Sequence, residues 1–188
     1  MSNVKKMCIC AFLTAMCYVL PQAFHILPLG VALSPMHLPV LLCGLVCGWP
    51  YGLFCGLVGP VLSFLLSNMP PVTVLISMVP ELGVYGLAAG LGMKFIRTGR
   101  TLPDLYVSLL PALVLGRIAG GMAQALLYLS RTESYTIALW AGSYVVGTLP
   151  AVVLQLVLLP ALVWGLMRAG LIPARYPMRA EPSRTGTA

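Results

Sequence analysis

The sequence predicts an all-α membrane protein, a six-transmembrane-helix bundle with both termini in the cytoplasm. Three observations predict it. The chain of 188 residues is 60% hydrophobic and only 8% charged, with a mean hydropathy of +0.97, whereas soluble domains carry about a quarter charged residues. Between Met7 and Pro80 there is no Asp, Glu, Lys or Arg, a stretch long enough for more than one crossing at about 20 residues each. Pro and Gly interrupt that stretch, so it folds back and forth rather than running as one helix. Finally, Lys5, Lys6, Lys94, Arg97, Arg100, Arg168, Arg175, Arg179 and Arg184 all fall at segment ends that one topology places on the cytoplasmic side, as the positive-inside rule requires.

The first helix spans about residues 4 to 24 behind Lys5 and Lys6. A basic start and an apolar core also describe a secretory signal peptide, but cleavage near Ala23 needs a small residue two positions earlier, where Pro21 stands. Pro28, Gly30 and Pro35 mark an outer loop over residues 25 to 35. A short second helix follows over about residues 36 to 48. The uncharged turn Gly48-Trp49-Pro50-Tyr51-Gly52 reverses the chain into a third helix over about 51 to 67, which Pro60 kinks. Asn68-Met69-Pro70-Pro71 makes a second outer loop. The fourth helix covers about 72 to 96 and ends in the basic run from Lys94 to Arg100; the fifth covers about 104 to 129, and Arg131-Thr132-Glu133 turns outside. The sixth is expected over about 135 to 168, with Pro150 and Pro160 as bend points. Residues 1–171 then form the transmembrane domain, and 172–188, rich in Pro, Arg, Ser and Thr, a disordered basic cytoplasmic tail.

A net charge of +7 invites a nucleic-acid reading, but the cations line no groove with stacking aromatics. No nucleic acid is expected; the bilayer is. The six cysteines, Cys8, Cys10, Cys17, Cys43, Cys47 and Cys55, lie in apolar spans without a Cys-x-x-Cys pair and read as small buried residues, with no metal site. No cofactor is expected.

Only two charged residues stand inside the spans, Glu81 and Arg117, and each costs about 2.5–3.5 kcal/mol at a helix centre unless it has a partner or a task. Glu81 lies roughly 12–14 Å and Arg117 roughly 18 Å below the outer ends of their helices at 1.5 Å per residue. A mutual ion pair that locks two helices is one reading; contact with a solute is the other. Further polar and aromatic groups share the outer half. Tyr85 follows Glu81 by one turn, Gln124 and Tyr128 lie above Arg117, Trp140 and Tyr144 are one turn apart, and His37 opens the second helix. Singly these are interfacial or packing residues; together they outline an outward-facing pocket with aromatic walls. The glycines of the fourth and fifth helices read as close-packing positions, and Ala11 and Ala15 as a small-x-x-x-small pair on the first.

The run Met36-His37-Leu38-Pro39-Val40-Leu41-Leu42-Cys43-Gly44, with Gly56-Leu57-Val58-Gly59-Pro60, Asn68-Met69-Pro70-Pro71, Glu81-Leu82-Gly83-Val84-Tyr85-Gly86 and Gly116-Arg117, resembles the substrate-binding S components of energy-coupling factor (ECF) transporters over about residues 4–168. The resemblance implies a high-affinity capture subunit for a vitamin or vitamin-like micronutrient, energised by a separate transmembrane scaffold subunit and two ATPase subunits. It also implies docking to the scaffold through alanines of the first helix, matched by Ala11 and Ala15. The implied substrate site holds His37, Asn68, Glu81, Tyr85, Arg117, Gln124, Tyr128, Trp140 and Tyr144. Lack of a Gly-x-x-x-x-Gly-Lys-Ser/Thr loop agrees with borrowed energy.

Two other classes compete. A membrane enzyme needs a motif such as Gly-x-Ser-x-Gly or His-Glu-x-x-His, and neither is present. A ligand-free assembly subunit accounts for Glu81 and Arg117 only as a packing pair. The solute stays open: Arg117 suits a carboxylate, as in pantothenate or a folate, and Glu81 an amine, as in a queuosine precursor, with a cobalamin-related solute also open.

Overall fold

Apolar runs cut by glycine and proline make the helices, and the cuts fall close to where the composition places them. The computed structural model describes residues 1–24, 34–130, 136, 140, 142, 147–173 and 176. In chain order its elements are α1 (Asn3–Phe24), α2 (His37–Cys47), α3 (Trp49–Ser67), α4 (Val72–Phe95), α5 (Thr101–Ser130) and α6 (Leu149–Arg168). All but α2 are long and apolar enough to cross a membrane. The chain is a multi-pass membrane protein. With 11 residues, α2 reaches only about 16 Å, half of a hydrocarbon core about 30 Å thick.

The last helix differs from expectation. Instead of running from residue 135, α6 begins at Leu149 after a turn at Gly147 and Thr148, the latter held at φ −113°, ψ 4°. Pro150 therefore starts the helix rather than bending it, since a missing N–H is harmless in the first turn. Pro160 does lie within α6.

Around α4 pack α2, α3 and α5, while α1 lies on α2 and α3, and α6 on α2 and α5. The α3–α4 contact is backbone on backbone. A Cβ on Gly86 would strike the Gly52 carbonyl, one on Gly56 the Leu82 carbonyl, and one on Gly90 the Trp49 nitrogen. Lipid offers no hydrophobic drive for association, so close approach through small residues supplies the dispersion contact instead. Gly48 sits at φ 98°, a conformation open to glycine, and turns α2 directly into α3.

The inner face of α1 presents Cys10, Leu13, Thr14 and Cys17, whereas Val4, Cys8, Ala11 and Ala15 form an exposed stripe on its other side. Cys8 is thus an exception to the expected burial; it falls on the outer face of the helix. The other five thiols are buried, with Cys17 Sγ 3.9 Å from Cys55 Sγ. Among the described residues no group of three or more His, Cys, Asp or Glu is arranged to hold a metal ion.

The starts of α1, α3 and α5 meet the ends of α2, α4 and α6 at one pole, hereafter the basic end. A cavity of about 500 Å³ opens there, walled by Lys6, Trp49, Met93, Lys94, Met167 and Ile172. Beside it Asp104, fully buried, accepts hydrogen bonds from Thr98 N (2.7 Å), Thr98 Oγ1 (2.6 Å) and the Tyr176 hydroxyl (2.8 Å). The expected tail boundary at residue 172 therefore falls where the chain still packs: Ile172 is buried, and Tyr176 is tied to α5. Residues 177–188 lie outside the described residues.

Candidate functional site

Three helices deliver polar side chains to one layer of the bundle interior. His37 stands at the first position of α2, whose short length lets it start deep in the bundle, level with the middle of α4. From α4, Glu81 and Tyr85 point inward one turn apart, and Arg117 enters from α5. All four are buried, Glu81 to 5% and Arg117 to 8% exposure. Neither charge faces lipid.

Glycine makes room for them. A Cβ on Gly116 would collide with the Tyr85 ring, and one on Gly120 would lie 2.7 Å from Glu81 Oε2. These α5 glycines, together with Gly92 against Ser108, let α5 close on α4 while leaving the phenol and carboxylate their space.

The electrostatics centre on one atom, Glu81 Oε1. It accepts the Tyr85 hydroxyl at 3.0 Å, lies 3.5 Å from His37 Nε2 and 3.9 Å from Arg117 Nη1. The His37 and Tyr85 rings also meet, 5.2 Å between centroids at 60°. An arginine that serves only to lock a carboxylate uses both nitrogens at about 2.7–2.9 Å. Here the approach is longer and one-sided. Among the described residues, Arg117 Nη2 and both ring nitrogens of His37 have no hydrogen-bond partner. Leaving a buried donor unmet costs about 1–3 kcal/mol, and more when it is charged. Such an arrangement has spare hydrogen-bonding capacity for a third party.

The remaining expected site residues divide. Trp140, half-buried, lays its indole nitrogen against Gly121, one turn beyond Arg117. Gln124 and Tyr128 are half-buried further along α5. Asn68 stands apart from the cluster: it is exposed at the end of α3, at φ 54° with its backbone N–H on the Phe64 carbonyl. Tyr144 lies outside the described residues, as do residues 25–33 of the expected outer loop.

Sequence reasoning passed over one residue of the same kind. Gln155 of α6 is fully buried, and neither its Oε1 nor its Nε2 has a partner among the described residues. The signal was present, for Gln155 is the only polar side chain between residues 149 and 163. It was missed because, unlike Gln124 with Tyr128, it has no polar neighbour one turn away on its own helix.

Compared with known proteins, the family model described as "ECF transporter, substrate-specific component" matches residues 5–174. No curated protein and no solved structure matches the chain.

Proposed function

The chain belongs to the substrate-specific components of ECF transporters, and on that premise we propose that it captures a vitamin or vitamin-like micronutrient at the His37, Glu81, Tyr85 and Arg117 cluster. As a member of that family it is a transporter subunit and not an enzyme. The observation that carries the capture reading is the buried Arg117 with Nη2 unmet, beside a carboxylate whose Oε1 is already shared by three groups. Arg117 anchors a carboxylate or other acceptor on the solute, while His37 and Glu81 beside it offer a ring nitrogen and a carboxylate to its polar groups. Trp140, Gln124 and Tyr128 line the approach from the outer side, and Asn68 belongs to its rim; Tyr144, also expected to contact the solute, lies outside the described residues.

The basic end faces the cytoplasm in this reading. Lys5, Lys6, Lys94, Arg97, Arg100 and Arg168 all lie there, which the positive-inside rule supports. The exposed α1 stripe with Ala11 and Ala15 is the docking face for the ECF scaffold subunit, through which two ATPase subunits deliver energy. Small side chains on an outward face favour the close approach of a partner helix.

Mass spectrometry of small molecules extracted from the detergent-purified protein tests capture directly. A stoichiometric solute is expected from the wild type. Arg117→Ala is expected to lose it while eluting as a folded monodisperse species; full retention would remove Arg117 from the anchor role. Loss of a charge-assisted hydrogen bond predicts an affinity drop of about tenfold to a hundredfold.

A further inference from the structure

We propose that Gln155 is a solute-binding residue, and that it reads an amide-type edge, a donor and an acceptor side by side, on the captured molecule. The proposal rests on the capture reading above and adds a ligand-contacting helix to it.

Its height in the bundle is the first argument. The cavity at the basic end touches Cys47 on α2, Gly90 and Lys94 on α4, and Val163 and Met167 on α6, so these residues mark a common level. Counting up at 1.5 Å per residue, Gln155 stands about 12–18 Å above that level, Glu81 about 13–20 Å and His37 about 15 Å. Arg117 reaches the same layer, since its Nη1 lies 3.9 Å from Glu81. Gln155 is fully buried on a helix that packs on α2 and α5, the two helices that carry His37 and Arg117.

The second argument is the pattern of unmet groups. Among the described residues, the buried side-chain atoms without a partner belong to His37, Arg117 and Gln155, one residue on each of α2, α5 and α6. Buried polar atoms are otherwise satisfied in nearly all folded chains. Elsewhere in this bundle they follow that rule: Thr14, Ser77 and Ser108 each bond a carbonyl about one turn back in their own helix. Gln155 has a long side chain and neighbours rich in Leu and Val, and it makes no such bond. Three exceptions in one layer mark a place where a polar occupant completes the hydrogen bonding.

The chemistry of that occupant follows from the donors and acceptors. Arg117 Nη2 donates only, so it meets an anion or a carbonyl oxygen. A glutamine amide offers two N–H donors and a carbonyl acceptor, and both its ends are empty. A carboxamide, a peptide-like amide or a lactam ring edge satisfies both ends at once. The solute class is therefore a small molecule with an acidic or carbonyl terminus and an amide-type edge.

The test uses full-length protein purified in detergent, with the small molecule eluted from wild-type protein as the probe, identified by mass spectrometry and titrated back onto emptied wild type, Gln155→Leu and Gln155→Met. Both variants are expected to bind the eluted molecule about tenfold to a hundredfold more weakly. Because they remove an unmet polar group, their solute-free forms are expected to melt at or above the wild-type temperature. Unchanged affinity in either folded variant overturns the role of Gln155 and leaves capture intact, as does an eluted molecule with no amide-type edge. A solute-free melting temperature that drops along with affinity in both variants makes Gln155 a packing residue and equally overturns the proposal. Wild-type protein that carries no small molecule overturns the capture reading, and this assignment with it.

Discussion

Glu81 holds its position through contacts that leave little slack. Its Oε1 receives the Tyr85 hydroxyl and faces His37 and Arg117, while its Oε2 lies where a Cβ on Gly120 would come within 2.7 Å. Gly120→Ala therefore pushes the carboxylate, not a lipid-facing group. We expect it to weaken solute binding by about tenfold, the scale of one displaced charge-assisted hydrogen bond, and isothermal titration of the emptied protein measures that. Wild-type affinity in Gly120→Ala would show that the carboxylate's position is immaterial. At this scale the sequence was informative where formal charge was concerned. Glu81 and Arg117 stand out because a charge in hydrocarbon is costly wherever it falls. Gln155 did not stand out, because no polar residue lies one turn from it on its helix and its lack of partners is invisible without neighbours.

Helix existence and most boundaries follow from local composition, and so do the places where helices approach. Gly52, Gly56, Gly86 and Gly90 bring α3 and α4 to backbone contact, whereas Gly165 of α6 has open space where a Cβ would go. A matched pair follows: Gly86→Ala is expected to destabilise the detergent-solubilised protein by about 1–3 kcal/mol, through overpacking against the Gly52 carbonyl. Gly165→Ala is expected to be neutral or to stabilise by up to about 1 kcal/mol, through helix propensity. Thermal melts of the two variants side by side decide it, and equal melting temperatures would contradict the packing account. The boundary that misled was the last one. A long apolar run reads as one helix through residues 135–168, yet Gly147, Thr148 and Pro150 place a start inside it, with Pro150 in a first turn. Proline in an apolar run marks either a kink or a start, and the choice depends on whether the preceding residues have helical partners.

For the molecule as a whole, the exposed stripe of α1 is turned outward and the His37, Glu81 and Arg117 cluster is buried among α2, α4 and α5, so the proposed docking and capture are expected to be separable. Ala15→Trp is expected to abolish co-purification with a co-expressed ECF scaffold subunit while leaving solute affinity within about twofold, since surface changes remote from a site act independently. Undiminished co-purification would move the docking face elsewhere.

By itself the sequence determined that this protein lives in a bilayer, that it is built of helices joined at glycine and proline, and that two charges lie at mid-depth. These follow from hydropathy, length and charge, each a property of a residue or a short run. The tertiary structure alone decided that the short α2 sets His37 against Glu81, that Arg117 keeps one nitrogen unmet, that Gln155 is fully buried with both amide ends unmet, and that Asn68 is exposed at the end of α3. The physical reason is that helices apolar all round carry no stripe to mark their inner face. Which side chains meet is then settled by where glycines let the backbones close, and that is a relation between helices rather than a property of any one of them.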